Sequence, residues 1–373
     1  MTDEQTQEPP QPPDARRHRP GRLVAGGLAL VLLLGTAYAA GDRFAGGPAT
    51  AHAPGHEASG EPNLGTEDGH DHSTHEGTEG DPAVYDPGAT PGPRFRARDA
   101  TLPPAPPGRE HRITLTVRES VREVAPGVRQ RTWTYDDMLP GPTLRGRVGD
   151  RFVVTLVNEG STGHSIDFHA SQVAPNAQMR SIEPGERLTY TFTAQRAGAF
   201  MYHCGSAPAV HHIGNGMFGA IIVDPPRLAP VDREFVLVQS ELALGPQDGL
   251  ARLGKLYRAE YDAVAFNGYA GQYRFAPLTA TTGTRTRIWV VDAGPSAPTS
   301  FHVVGTVFDT VYKEGAYVLR PDAAAGGAQS LDLAPAQGGF VEFAFPAPGQ
   351  YPMLTHRFAD ATRGADGLFQ VTP

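Results

Sequence analysis

From His111 onward the chain alternates apolar and polar residues in short runs broken by Gly and Pro. Ile113, Leu115 and Val117 alternate with polar neighbours, Phe152 to Val157 is a β-rich run, and Leu188, Tyr190 and Phe192 alternate again. A period of two puts every second side chain on one face, as half-buried strands require. No long stretch of 3.6-residue periodicity occurs in residues 111–225, so this region is expected to be a β-sandwich of short antiparallel strands. Asp224-Pro225-Pro226 closes it, because proline cannot continue a central strand. A second unit of similar size opens near Arg233 with Glu234-Phe235-Val236-Leu237-Val238.

The second unit echoes the first. Pro184-Gly185-Glu186 leads through an alternating strand to Gly198-Ala199-Phe200-Met201-Tyr202-His203; Pro335 leads through Phe340, Val341 and Phe343 to Gly349-Gln350-Tyr351 and ends at His356. Each copy finishes on an apolar strand containing glycine, Gly219 to Val223 and Gly367 to Val371, and Gly163-His164-Ser165-Ile166 is answered by Ser300-Phe301-His302-Val303. A repeat of about 150 residues means two copies of one sandwich, here 109–226 and 227–373.

The N-terminal part has another texture. Residues 1–22 are polar and proline-rich with Arg16, Arg17, Arg19 and Arg22, and Leu23 to Ala40 is uncharged with a strongly apolar centre. A basic leader before about 18 apolar residues fits a signal peptide or a short membrane anchor, and places the rest of the chain outside the cytoplasm in both cases. Ala37-Tyr38-Ala39 would suit signal peptidase; Arg16-Arg17 is a weak twin-arginine signal. Residues 41–108 are rich in Gly, Pro, Ala, Glu and His, and are expected to be a disordered tether. Its histidines, His52, His56, His70, His72 and His75, suit either weak metal capture or an ordinary solvated linker. A net charge of -8 argues against nucleic acid.

The single cysteine excludes an intrachain disulfide and calls for another reason. Cys204 follows His203, with His212 and Met217 downstream. A thiolate, two imidazoles and a thioether are the ligand set of an electron-transferring copper site. His164 and His169, upstream, supply candidates for the remaining imidazole. Neighbouring strand residues face opposite ways. Cys204 is therefore expected to turn inward to one copper with His164, His212 and Met217, and His203 outward to a second with His169. His356 is the natural third donor there, and three imidazoles with an open position make a catalytic site. His211 is a rival to His212, but His212 keeps the spacing to Met217, and His211 is expected at the surface.

His164-Ser165-Ile166-Asp167-Phe168-His169, Tyr202-His203-Cys204 with the following Ala-Pro and His-Ile-Gly-Asn-Gly-Met, Phe266-Asn267-Gly268, and Ser300 to Gly305 through Phe308-Asp309 to Val311-Tyr312 resemble the two-domain copper-containing nitrite reductases over about residues 110–373. The resemblance implies an all-β fold of two tandem cupredoxin-like Greek-key β-sandwich domains. It implies two coppers per subunit: type 1 on His164, Cys204, His212 and Met217, and type 2 on His169, His203 and His356. Electrons from a small cupredoxin or c-type cytochrome would enter at type 1 and pass through Cys204-His203 to nitrite at type 2. It further implies that Asp167 and His302 handle protons, and that the chains form a homotrimer in which His356 completes a neighbour's site. The flanks of His356, Thr355 and Arg357-Phe358-Ala359-Asp360, depart from the family pattern, as does the long tether.

Two other readings compete. A laccase-like multicopper oxidase needs several His-x-His pairs and a His-Cys-His, whereas the chain has His203-Cys204-Gly205 and its sole His-x-His is in the tether. A non-enzymatic copper-binding or electron-relay protein would bind one copper firmly in its folded part instead of two.

Overall fold

The computed structural model describes residues 80–373 apart from 323–324. The expected leader at 1–22, apolar segment at 23–40 and linker histidines lie outside the described residues. Among the described residues no helix is long and apolar enough to cross a membrane.

The first sandwich comprises β1 (Glu110–Ala125), β2 (Val128–Tyr135), β3 (Leu144–Arg147), β4 (Arg151–Asn158), β5 (Asp167–Phe168), α1 (Pro175–Gln178), β6 (Arg187–Thr193), β7 (Gly198–His203), α2 (Ala209–Gly214) and β8 (Phe218–Asp224). Its sheets run β2-β1-β4-β6 and β3-β8-β7-β5. The second comprises β9 (Arg233–Leu242), α3 (Leu253–Tyr257), β10 (Ala263–Phe266), α4 (Gln272–Phe275), β11 (Ala276–Thr281), β12 (Arg285–Asp292), β13 (Thr299–Val303), β14 (Thr310–Lys313), β15 (Ala316–Leu319), β16 (Leu331–Leu333), β17 (Gly338–Ala344), β18 (Gly349–Thr355), α5 (Phe358–Ala361) and β19 (Asp366–Thr372). Its sheets run β10-β9-β12-β17-β14-β15 and β11-β19-β18-β13-β16. The repeat is a repeat of topology: β2-β1-β4-β6 maps onto β10-β9-β12-β17, and β3-β8-β7-β5 onto β11-β19-β18-β13. Cys204 follows β7 as His356 follows β18.

The sheets are mixed, where purely antiparallel pairing was expected. β1 runs parallel to β4, β3 to β8, β9 to β12 and β11 to β19. Alternation gives the buried face of a strand but not its neighbour's direction, because the side-chain period is two in either case.

Alternation does place the core. Phe152, Val154 and Leu156 of β4 and Tyr190 and Phe192 of β6 point into the first sandwich. Strands that read as unbroken apolar runs are buried on both faces. Ile221 and Val223 of β8 join the first core, while Ala220 and Ile222 meet Trp289 and Val291 of β12 in a layer between the sandwiches. Burying each large side chain is worth about 1.5–3 kcal/mol, so this layer fixes the two domains against each other.

Residues 80–108 correct the expected boundary of the tether. They form an ordered strap over both sandwiches. Ala83 N–H donates to the Gly245 carbonyl (2.7 Å), Phe95 packs on Tyr269 (4.9 Å between ring centres), and Val236 N–H donates to the Ala100 carbonyl (2.8 Å). Arg98 reaches the Pro140 and Gly141 carbonyls, while its own backbone is held by Gln272 and Tyr273. A strap borrows the cores beneath it, so composition that cannot build a core does not prevent order.

Candidate metal centre

Tyr202, His203 and Cys204 leave β7 with alternating directions. Tyr202 enters the core and donates its hydroxyl to the Pro142 carbonyl (2.6 Å). Opposite it stands Gly219, where a Cβ would lie 2.3 Å from the Tyr202 ring, so only glycine allows this packing. Cys204 is fully buried, and its sulfur accepts the Ser165 N–H at 3.3 Å. His203 faces the other way and meets β5, where Asp167 is its register partner.

The inward group comprises His164, Cys204 and His212, with donor atoms all within 4.8 Å of one another. His164 Nδ1 lies 3.1 Å from His212 Nδ1, which lies 3.3 Å from Cys204 Sγ. Met217 is buried beside them and closes the loop: its carbonyl accepts the Cys204 N–H (3.1 Å) and its N–H donates to the His212 carbonyl (3.0 Å). Burial pushes the Cys204 thiol up, against hydrogen bonds from Ser165 and Ser206 that lower it. Such a thiol stays protonated until a cation draws out the thiolate. At bond lengths of about 2.0 Å, nitrogens this far apart subtend about 100° at one ion, close to tetrahedral. The donor set therefore fits a single soft metal ion.

The outward group comprises Asp167, His169 and His203. His203 Nδ1 lies 2.9 Å from the Cys204 carbonyl, which can only accept, so Nδ1 carries the proton and Nε2 is left as donor to a metal. His203 Nε2 faces His169 Nε2 at 3.0 Å, with Asp167 Oδ2 at 4.0 Å. Burial, then the neighbouring His203, lowers the His169 pKa, against the attraction of Asp167, which favours the neutral, metal-binding imidazole. This pair too fits a metal ion.

His302 and His356 lie in the second sandwich with rings 5.0 Å apart. The Gln329 carbonyl accepts from His302 Nδ1–H, and the Ser300 carbonyl accepts the His356 N–H at 2.7 Å. His356 is exposed and joins neither group within one chain. Sequence reasoning also mislaid two neighbours. His211 is buried, contrary to its expected surface position, and its Nε2 lies 3.2 Å from the Ala251 carbonyl of the second sandwich. Trp133 of β2 packs against His164, His211 and His212 at 5.5, 5.2 and 4.8 Å between ring centres. Alternation along β2 does not announce Trp133, which shares its strand face with the exposed Arg129 and Arg131, and its ring partners come from distant segments.

Two sandwiches of one topology, with a His-Cys-His pocket in the first and a histidine pair on its reverse, define a cupredoxin-type copper protein. Residues 116–228 match the multicopper oxidase family. A copper-containing nitrite reductase of Neisseria gonorrhoeae is 33% identical over 271 residues, covering 70% of this chain and 68% of that protein. One from Rhizobium sullae is 28% identical over 288 residues, covering 70% and 75%. The solved copper nitrite reductase of Nitrosomonas europaea superposes with a TM-score of 0.64 at 33% identity, over 70% of this chain and 94% of that one. The chain belongs to the copper-containing nitrite reductases.

Proposed function

We propose that this copper enzyme reduces nitrite to nitric oxide by dividing electron entry and substrate binding between two coppers per chain, held on opposite sides of the Cys204–His203 peptide bond. His164, Cys204, His212 and Met217 would hold type 1; His169 and His203 would hold type 2, with His356 of a neighbouring chain. The metals would supply single electrons at the first position and a Lewis acid for nitrite at the second.

The chain's own residues do the rest. Cys204 and His203 are consecutive, so the path between the two donor groups is covalent, and the hydrogen bond from His203 Nδ1 to the Cys204 carbonyl shortens it. Nitrite reduction takes one electron and two protons and releases water. Asp167, whose Oδ2 lies 4.0 Å from His203 Nε2, would hold and give one proton. With Nδ1–H of His302 committed to the Gln329 carbonyl, its Nε2 is the nitrogen that exchanges the other. Both half-sites carry an exposed histidine, His169 and His356, which favours completion by a second copy; that the assembly is a homotrimer follows from the family likeness alone. The N-terminal sequence favours an extracytoplasmic enzyme, tethered to the membrane if the apolar segment is retained, with a small cupredoxin or c-type cytochrome as donor.

The observation that carries this reading is the pair of donor groups back to back across one peptide bond. The test counts copper and detects nitric oxide on one sample. Two coppers per chain, with nitric oxide formed from nitrite and a chemical reductant, agree with the reading. Oxygen consumption with phenolic donors while nitrite is ignored favours the laccase-like alternative, and one firmly bound copper without turnover favours an electron relay.

A further inference from the structure

The type 1 ligand loop is gripped by the second sandwich. Asn215, just after α2, accepts the Ala251 N–H on Oδ1 (2.8 Å) and donates Nδ2–H to the His211 carbonyl (2.8 Å). Its own carbonyl accepts the Trp133 N–H at 2.9 Å. The Ala251 carbonyl lies 3.2 Å from His211 Nε2; a carbonyl only accepts, so that nitrogen is the protonated one. Ala251 thus both gives and takes a hydrogen bond across the domain boundary. Beside it α3 presses on α2 so closely that a Cβ on Gly214 would stand 2.5 Å from Leu256 Cδ1.

Consecutive residues on a helix point about 100° apart. His212 therefore looks to Cys204 while His211 looks to the second sandwich, and any rotation of α2 moves both. We propose that His211 is a positioning residue: by anchoring α2 to Ala251 it fixes the His212 ring against Cys204, so that the second domain sets the geometry of the electron-entry site. Trp133, in contact with both rings, holds the pair from the other side. The inference rests on the type 1 assignment above. It deepens that assignment by making the centre a property of both domains.

Outer partners of metal ligands are worth about 10- to 100-fold in metal affinity. In the full-length copper-loaded protein, His211→Phe keeps a ring against Trp133 but has no donor for Ala251, whereas His211→Gln restores an N–H. The measurements are copper retention against a chelator and the visible sulfur-to-copper band. His211→Phe is expected to lower type 1 copper retention about tenfold or more and to shift the band, with the second copper retained; His211→Gln recovers most of the loss. If phenylalanine prevents folding, Leu256→Ala reads the same coupling from the second domain, and an unchanged band there overturns the proposal. So does a His211→Phe protein indistinguishable from wild type, or a His211→Gln protein no better than phenylalanine. Wild-type protein lacking the band defeats the type 1 assignment itself, a result distinguishable from failure of the His211 coupling.

Discussion

Replacing Asp167 by Asn removes one negative charge from the proposed nitrite position while keeping the side chain's size. Its Oδ2 lies 4.0 Å from His203 Nε2, and the side chain is 29% exposed. At that separation a unit charge acts on a proton or cation with about 4 kcal/mol at an effective dielectric of 20, and the partial exposure reduces this to about 2–3 kcal/mol. Lost selectively from the transition state, that is about a 30- to 150-fold fall in kcat. The carboxylate is not counted among the ligands, so copper content and the visible band should remain wild type. The assay is steady-state nitric oxide formation across pH 5–8, with copper counted on the same sample. The reasoning is refuted if Asp167→Asn turns over within threefold of wild type, or if its loss of activity is accounted for by loss of copper.

Other regions give sharp expectations. Glu234 accepts from Arg145 (2.9 Å), Arg287 (3.0 Å) and Trp289 (2.8 Å), tying the first domain's Arg145 to the second. Burial works to raise its pKa, but these partners prevail and hold it low; Glu234→Gln should cost about 3–5 kcal/mol in chemical denaturation, and a loss under 1 kcal/mol would contradict the clamp. Asp292 is buried and its pKa is pushed up to about 8, by burial first and then by Glu241. The folded chain keeps a proton there that the unfolded chain releases near pH 4, so stability falls as pH rises through that window, by up to about 1.4 kcal/mol per unit. Asp292→Asn should flatten this slope; parallel stability curves for the two proteins would count against it. Arg98→Ala strands the Pro140 and Gly141 carbonyls and should lower stability by about 2–4 kcal/mol, measurable by urea melts, with residues 80–108 becoming protease-sensitive first.

Much of the site was legible in the sequence because it depends on local geometry. The divergence of His203 and Cys204 follows from the strand period, and the two side chains stand in separate donor groups. The strands followed from alternation at Phe152, Val154 and Leu156 or at Tyr190 and Phe192. What escaped were long-range contacts. Nothing near His211 announces Ala251, forty positions away, and nothing in the Gly- and Pro-rich run before Glu110 announces that Phe95 and Arg98 dock on the second domain. Parallel pairing of β1 with β4 was hidden for a related reason, since it is decided by the crossover between sheets.

The route from Cys204 to His203 is tested most directly by following the visible sulfur-to-copper band of fully reduced enzyme after nitrite is added. Wild-type protein should regain the band as electrons leave through His203, and His203→Ala, with the first metal still in place, should stay bleached. Recovery at the same rate in both proteins, or no such band in fully metallated wild type, would contradict two unlike centres joined across one peptide bond.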